Sequence, residues 1–236
     1  MHLELPQGAL HSMKDFAKHF VMIVISILTA LGLEAWIENT HHRHAAESAR
    51  IQIDAEVRLN LQDIRKIRAH DMERMKELNR LRDVLVEDIK ANASQATIEQ
   101  HVHDNASDGI FLDVRWPVLR HAAWDVAVAD QSAGWMENGR LGRYSSVYAL
   151  QQRADALIGQ DEVMVLNGPR MFDALIDLQT GSIQPRELLH VVAQMAALLG
   201  ETAQSLDSLD KRISDGLPDV IDGKLTAAPR SAVPAA

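Results

Sequence analysis

An uncharged apolar stretch near the N-terminus constrains the fold of this chain more than any other feature. From Phe20 to Leu33 the sequence reads FVMIVISILTALGL, without a charged residue. If the helix continues to Ile37, it rises roughly 27 Å, which is close to the hydrocarbon thickness of a bilayer. The sequence therefore predicts a transmembrane helix over residues 16–37, with membrane lipid as a partner.

The anchor is expected to contact lipid on all sides, because the stretch has no polar stripe. Its tryptophan would lie at the far interface of the bilayer, where amphipathic aromatic rings are enriched. The residues predicted to hold the chain in the membrane are Phe20, Val24, Ile27, Leu31 and Trp36.

Two other kinds of segment can have a similar sequence: a secretory signal peptide and the buried helix of a soluble core. The residues from Glu34 to Glu38 read EAWIE, and their bulk and charge make a poor cleavage site. A core helix of a soluble protein usually keeps a polar face, which this stretch lacks. The sequence favours the anchor and leaves both alternatives open.

The charges around the stretch indicate an orientation. Lys14 and Lys18 precede it and two arginines follow it, so that the positive charges are nearly balanced. The closeness of the lysines and of the N-terminal amine favours a cytoplasmic segment at residues 1–15. The helical domain at residues 38–216 would then be periplasmic, in a single-pass protein of the bacterial inner membrane.

Residues 24–38, VISILTALGLEAWIE, resemble the signature of a family of uncharacterised bacterial single-pass membrane-anchored proteins. In that family the apolar helix ends in the pattern A-L-x-x-x-x-W-x-E. Ala30, Leu31, Trp36 and Glu38 match the pattern at the same spacing. The polar residues usual between the leucine and the tryptophan are replaced here.

The resemblance extends further along the chain. Glu56 and Asn60 resemble the E-x-x-x-N of the family's juxtamembrane helix, and the block from Trp124 to Tyr148 resembles its second recurrent block. The resemblance implies a helical body anchored in a membrane. It implies no activity.

The rest of the chain has the composition and spacing of an all-α protein. Neither Gly nor Pro occurs between Gly32 and Gly109, and apolar residues recur at helical spacing over much of this stretch. The sequence predicts that the anchor continues into a long helix to about Lys90, packed in an elongated helical bundle. A break near His70-Asp71 stays open, because the apolar stripe weakens there.

Shorter helices are predicted downstream from caps, turn residues and apolar spacing. They run from Ser94 to about His103, from Pro117 to about Ala129, from Asn138 to about Gly159, and from Arg170 to Leu178. Residues 217–236 are small, polar and proline-rich, which is typical of a disordered tail.

The last helix, from Pro185 to Gly216, carries a heptad pattern. Its apolar residues alternate by four and three, as in helices that pack along another helix. The long N-terminal helix is the simplest partner for this interaction seam. The seam consists of Leu188, Val192, Met195, Leu199, Leu206, Leu209 and Ile213, with Thr202 in step.

Candidate chemistry is sparse. The net charge of −9 disfavours nucleic acid as a partner, and the absence of cysteine excludes thiolate catalysis and cysteine-type zinc sites. His41, His42 and His44 can bind a divalent metal with Glu38 or Glu47 as a third ligand, or form a solvated collar. Whether this cluster binds metal stays open.

Two further groups are better explained by structure than by ligand binding. His101, His103 and Asp104 lie near a helix end, where protonated histidine is favoured by the helix dipole. The aromatic residues of the middle can line a ligand pocket, although core packing explains them better. They are Trp116, Trp124, Trp135, Tyr144 and Tyr148.

No catalytic constellation emerges, and we predict a protein that is not an enzyme and needs no cofactor. The patterns favour a membrane-anchored helical interaction or scaffold module, as an accessory subunit of a membrane-associated assembly. Its partner would be another protein or a second copy of the chain. A periplasmic sensor or ligand-binding domain built on the aromatic middle is the alternative, followed by a metal-dependent enzyme that uses the histidines.

Overall fold

The chain is all-α within the residues that a computed structural model describes, which are 13–106, 109–110, 112–166, 172–174, 176–177, 180–182 and 184–221. No β-strand occurs in these ranges. The fold class predicted from the sequence is therefore confirmed. The helices are α1 (Met13–Lys90), α2 (Gln95–Asn105), α3 (Ala122–Ala129), α4 (Asn138–Leu166), α5 (Pro185–Gly216) and α6 (Pro218–Ile221), with a 3₁₀ turn at Ser132–Trp135.

Helix α1 is a single uninterrupted helix of 78 residues, about 117 Å long at 1.5 Å per residue. An 18-residue window in its N-terminal part has a mean hydropathy of 2.2 and is not buried by the rest of the chain. The helix is therefore long and apolar enough to span a membrane. It passes through His70 and Asp71 without a break.

Helix α5 packs lengthwise against α1, whereas α4 packs on α5 and reaches α1 through long side chains. Tyr144 of α4 contacts Asp54 of α1, and two turns later Gln151 contacts Asn60, so that α4 runs parallel to α1. Helix α5 is antiparallel, because its first half packs at the far end of α1 and its second half packs nearer the apolar stretch. The body is thus an elongated bundle.

Two separate apolar cores hold the body together. The near core, next to the apolar stretch, comprises Ile53, Val57, Leu61 and Ile64 of α1 with Tyr144, Tyr148, Leu206, Leu209 and Ile213. The far core comprises Leu78, Leu81 and Leu85 of α1 with Leu188, Val192, Met195 and Leu199.

The heptad seam of α5 lies against α1, the helix that the sequence suggests as its partner. All seven apolar residues of the seam are at most 6% exposed, and they are divided between the two cores. The bounds of α5, Pro185–Gly216, are those expected from its terminal proline and glycine. In this conformation the seam holds the body together.

The helix expected from Pro117 to about Ala129 ends at Ala129 as predicted, but its expected start is wrong, because residues 112–121 are not helical and the helix begins at Ala122. Asn60 holds this segment by its backbone: Nδ2 donates to Arg120 O at 2.7 Å, and Oδ1 accepts from Arg120 N at 3.0 Å. Both backbone groups of Arg120 are therefore bonded to a side chain and cannot join a helical ladder.

Other helix ends agree more closely with the sequence. Ser94 caps α2, and its hydroxyl accepts from the backbone N–H of Thr97 at 3.2 Å. Helix α2 ends at Asn105, two residues later than expected, and α4 continues beyond Gly159 to Leu166.

Some expectations fall partly outside the described residues. Residues 1–12 and 222–236 are not described, and neither are several positions of the helix expected from Arg170 to Leu178. Within that helix, residues 172–174 and 176–177 are helical. Leu217 and Val220, which the sequence places in the tail, are buried in the near core.

Candidate functional sites

Buried polar side chains connect α1 to α4 inside the near core. Tyr148 Oη donates to Glu56 Oε1 at 2.6 Å, and Glu56 Oε2 accepts from the backbone N–H of Ala123 at 2.9 Å. Tyr148 is 1% exposed and Glu56 is 8% exposed. Burial, followed by the hydrogen bond to Glu56, raises the pKa of Tyr148. The phenol therefore remains protonated and acts as a structural donor.

Tyr144 makes the corresponding contact one turn earlier. Its Oη donates to Asp54 Oδ1, and Arg50 Nη1 donates to Asp54 Oδ2 at 3.0 Å. Burial and the hydrogen bond to Asp54 raise the pKa of Tyr144. A tyrosine that acts as a base or nucleophile needs a lowered pKa, and here both tyrosines are shifted in the opposite direction.

The five aromatic residues of the middle do not share one pocket. Tyr144 and Tyr148 lie in the near core, where Trp124 stacks on Tyr148 with 5.3 Å between ring centroids. Trp135 lies close to the apolar stretch, and Trp116 lines a groove between α4 and α5. Only Trp116 of this group borders that groove.

The histidines that follow the apolar stretch do not converge. His41 and His44 are exposed, whereas the ring of His42 stacks on Trp135 with 4.0 Å between centroids. His42 Nε2 lies 3.9 Å from Glu38 Oε1. Among the described residues, no group of three or more His, Cys, Asp or Glu side chains is arranged to hold a metal ion.

The second histidine group joins α2 to α1. His101 Nδ1 lies 2.9 Å from both carboxylate oxygens of Asp88, which is 6% exposed. His103 and Asp104 are exposed on α2. The contact between His101 and Asp88 is a helix-to-helix connection.

A buried carboxylate lies between the two cores, where the apolar stripe of α1 weakens. Asp71 is fully buried; its Oδ1 accepts from the backbone N–H of Arg115 at 3.3 Å and lies 3.1 Å from His70 Nδ1. Its Oδ2 has no hydrogen-bond partner in the described part of the chain. Burial raises the pKa of Asp71, although the hydrogen bond from His70 opposes the shift.

His70 also connects Asp71 to a second carboxylate. Its Nε2 lies 3.1 Å from Asp113 Oδ2. Burial alone would raise the pKa of Asp113, but the contacts with Arg115 and His70 outweigh burial and lower it. This bridge ties the non-helical segment after α2 to α1.

A groove of about 550 Å³ lies between α4 and α5, within the size range of ligand pockets. Leu206 and Leu209 of α5 form part of its wall, and Leu157 of α4 is 56% exposed there. Arg153 and Arg212 also line the groove, and neither makes an ion pair or hydrogen bond with another described residue. The groove thus has a mixed lining of apolar and polar side chains that includes Glu201, and its two arginines make no ion pair with another described residue.

Trp116 borders the same groove from the segment before α3. Its indole Nε1 is buried and has no hydrogen-bond partner among the residues that the structure describes. A buried donor without an acceptor costs free energy. The groove therefore combines an unpartnered donor with two unpaired cations.

No protein-family model, curated protein or solved structure matches this chain. The resemblance to the family of membrane-anchored proteins stays a prediction from its residues. Glu56 and Tyr148, which that resemblance assigns to two separate blocks, form a hydrogen bond with each other.

Proposed function

We propose that this chain is a membrane-anchored helical interaction module, an accessory subunit of an assembly at the bacterial inner membrane. One observation carries the proposal: α1 continues without a break from the exposed apolar stretch into both cores of the body. No kink-producing proline interrupts the helix, so that the body is joined to the anchor without a non-helical linker. One continuous helix that joins an anchor to a body suits a scaffold protein. We assign no reaction and no cofactor to this chain.

The proposed topology follows from the charges next to the stretch. Residues 16–37 would cross the membrane once, with residues 1–15 in the cytoplasm and the body in the periplasm. Lys14 and Lys18 support this orientation, because positive charges near a span favour the cytoplasmic side. Membership of the family that the anchor resembles is part of the same proposal.

The groove between α4 and α5 is the surface that we assign to a protein partner. The seam of α5 is already filled by α1, whereas Leu157 remains exposed in the groove. Arg153 and Arg212 have no acidic partner in the described chain, so that acidic residues of another protein would complement them. An amphipathic helix would place its apolar face on the leucines of this groove.

Cross-linking in native membranes tests this assignment. The full chain and two variants are each cross-linked and extracted in mild detergent, and the molar mass of each complex is measured by light scattering. Leu157→Glu places a charge in the groove, and Gln152→Glu places the same charge on another face of α4. We expect a defined complex with one other protein that Leu157→Glu abolishes and Gln152→Glu retains.

The outcomes separate the alternatives. A homodimer that Leu157→Glu abolishes would identify a second copy as the partner. A strictly monomeric chain without a co-purifying protein would contradict the proposed function. A complex that tolerates both variants would place the partner on another surface.

The unpartnered indole N–H of Trp116 favours a second candidate function, the binding of a small amphipathic anion in the same groove. A carboxylate would pair with Arg153 or Arg212, and an apolar chain would cover Leu157. Titrating decanoate into the full chain in nanodiscs should then raise the melting temperature with ligand concentration. Decanol is the matched control without the charge, and an equal response to both compounds would remove this candidate.

A further inference from the structure

The 3₁₀ turn at Ser132–Trp135 lies at the end of the body that is nearest the apolar stretch. Ala133 and Met136 belong to the near core, and the ring of Trp135 stacks on His42 with an interplanar angle of 17°. Trp135 is nevertheless 40% exposed. The turn is thus docked on α1 while a large part of its indole ring remains uncovered.

Hydrogen bonds hold the turn in one conformation. Asp130 Oδ1 accepts from the backbone N–H of Ser132 at 2.9 Å, and Gln131 adopts a left-handed conformation with φ of 66°. Ser132 is buried, and its hydroxyl donates to Ala127 O at 3.4 Å. These contacts hold the turn in the conformation that leaves Trp135 partly exposed.

The distance along α1 places Trp135 at the level of lipid headgroups if the apolar stretch spans a bilayer. Trp36 precedes His42 by six residues, which is about 9 Å along the helix axis. The headgroup layer adds about 5–7 Å beyond the hydrocarbon on each side. A helix tilt of about 20° is ordinary, and it would lower a ring about 9 Å from the axis by a further ~3 Å.

The chemistry around the turn fits a lipid surface. Val126 and Val128 of α3, just before the turn, are 57% and 53% exposed. Arg43 is exposed one residue after His42 and makes no ion pair or hydrogen bond with another described residue. Tryptophan and arginine side chains are both suited to the interfacial layer.

We propose that this turn is a second membrane contact, at which Trp135 inserts among phospholipid headgroups while Arg43 pairs with a phosphate. The inference rests on the membrane anchor of the proposed function and adds to it. A contact on one side of α1 fixes the direction in which the anchor tilts. The orientation of the groove between α4 and α5 relative to the membrane is then fixed as well.

Site-directed spin labelling tests the contact on the full chain in phosphatidylcholine nanodiscs. The chain has no cysteine, so that a single introduced cysteine carries the only label. A Cβ added at Gly32, Gly134 or Gly159 meets no other atom within 4 Å. The variants Gly32→Cys, Gly134→Cys and Gly159→Cys therefore report on the anchor, the turn and a remote part of α4 with little disturbance.

Accessibility of each label to oxygen and to a nickel chelate gives its depth in the bilayer. We expect the Gly32→Cys label in the hydrocarbon, the Gly134→Cys label at headgroup depth and the Gly159→Cys label in water. In the Gly134→Cys background, adding Trp135→Ser should move the label into water. Adding Trp135→Tyr should leave its depth unchanged, because tyrosine keeps an amphipathic ring.

Each result has a separate meaning. A Gly134→Cys label as accessible to nickel as the Gly159→Cys label, with the Gly32→Cys label immersed, would overturn the second contact and leave the anchor standing. A Gly32→Cys label in water would overturn the anchor and with it the proposed function. A turn that stays immersed after Trp135→Ser would overturn the role of the indole.

Discussion

The near core and the far core are built on the same long helix in different ways. In the near core, Glu56 and Asn60 of α1 bond to Tyr148 and Gln151 of α4. In the far core, aliphatic and methionine side chains of α5 pack against leucines of α1. Hydrogen bonds have a fixed geometry, so that they allow only one position and orientation of the packed helix. An apolar seam determines which faces of two helices meet more strongly than it determines their register. The near core therefore sets the structure of the body beside the apolar stretch.

The largest expected effect comes from removing the carboxylate that connects α1 to α4 and α3. Glu56→Ala leaves the hydroxyl of Tyr148 and the N–H of Ala123 buried without an acceptor, at about 1–3 kcal/mol each. We expect the free energy of unfolding to fall by about 4 kcal/mol, measured by urea denaturation in detergent with circular dichroism. Glu56→Gln keeps one acceptor and should cost less; equal losses would contradict the role of the two bonds.

The far core should respond to a change in volume. Leu199 is 0% exposed, and truncating a buried leucine to alanine leaves a cavity that costs about 3 kcal/mol. Leu199→Ala should lower the free energy of unfolding by that amount in the same assay. Leu189→Ala, at a partly buried position on the same helix, is the control; similar losses in both variants would show that the seam is not tightly packed.

A smaller effect is expected at the segment before α3. Asn60→Ala removes the partners of both backbone groups of Arg120, which should cost about 2 kcal/mol. Hydrogen exchange at the Arg120 amide should accelerate more than at α5 amides. Uniform acceleration along the body would indicate global destabilisation and would contradict a local anchoring role.

The junction between the cores should show a small dependence on pH. Burial raises the pKa of Asp71 above its ordinary value of 3.8, so that the proton is bound more tightly in the folded state than in the unfolded state. The stabilising contribution is therefore complete below pH 3.8 and is lost as the pH rises through the folded-state pKa. Relative to Asp71→Asn, the wild type should be less stable at neutral pH.

Urea denaturation of both proteins across the pH range checks this sign. The difference in the free energy of unfolding between Asp71→Asn and the wild type should shrink as the pH falls. A difference that grows on acidification would mean that contacts to the carboxylate outweigh its burial.

The parts of the fold that local signals specify could be predicted from the sequence. Pro185 and Gly216 mark the ends of α5, and its heptad spacing indicates a helix partner. The freedom of α1 from Gly and Pro after Gly32 predicts a long helix, and Ser94 predicts the start of α2. Each of these features depends on residues within a few turns of one another.

The contacts of the near core were harder to predict, although the sequence contains a signal. Asn60 and Glu56 lie on the same face of α1 as Ile53, Val57 and Ile64, so that polar residues interrupt an apolar stripe. That interruption indicates buried polar partners. Their identity cannot be read locally, because the partner of Glu56 lies 92 residues away.

The failed prediction at Pro117 has the same origin. Proline is favoured in the first turn of a helix, but the two bonds from Asn60 to Arg120 override this local preference. The groove could not be predicted from the sequence either, because Arg153 and Arg212 look like any solvated arginines until the structure places them in one groove without an ion pair to another described residue.

The central claim is that the apolar stretch stays in lipid and continues as the backbone of the body. Alkaline extraction of membranes, with the intact mass of the retained protein, tests it most directly. We expect the full chain to sediment with the membranes at a mass that includes residues 16–37. A chain of that same full mass recovered entirely in the soluble fraction would contradict the account.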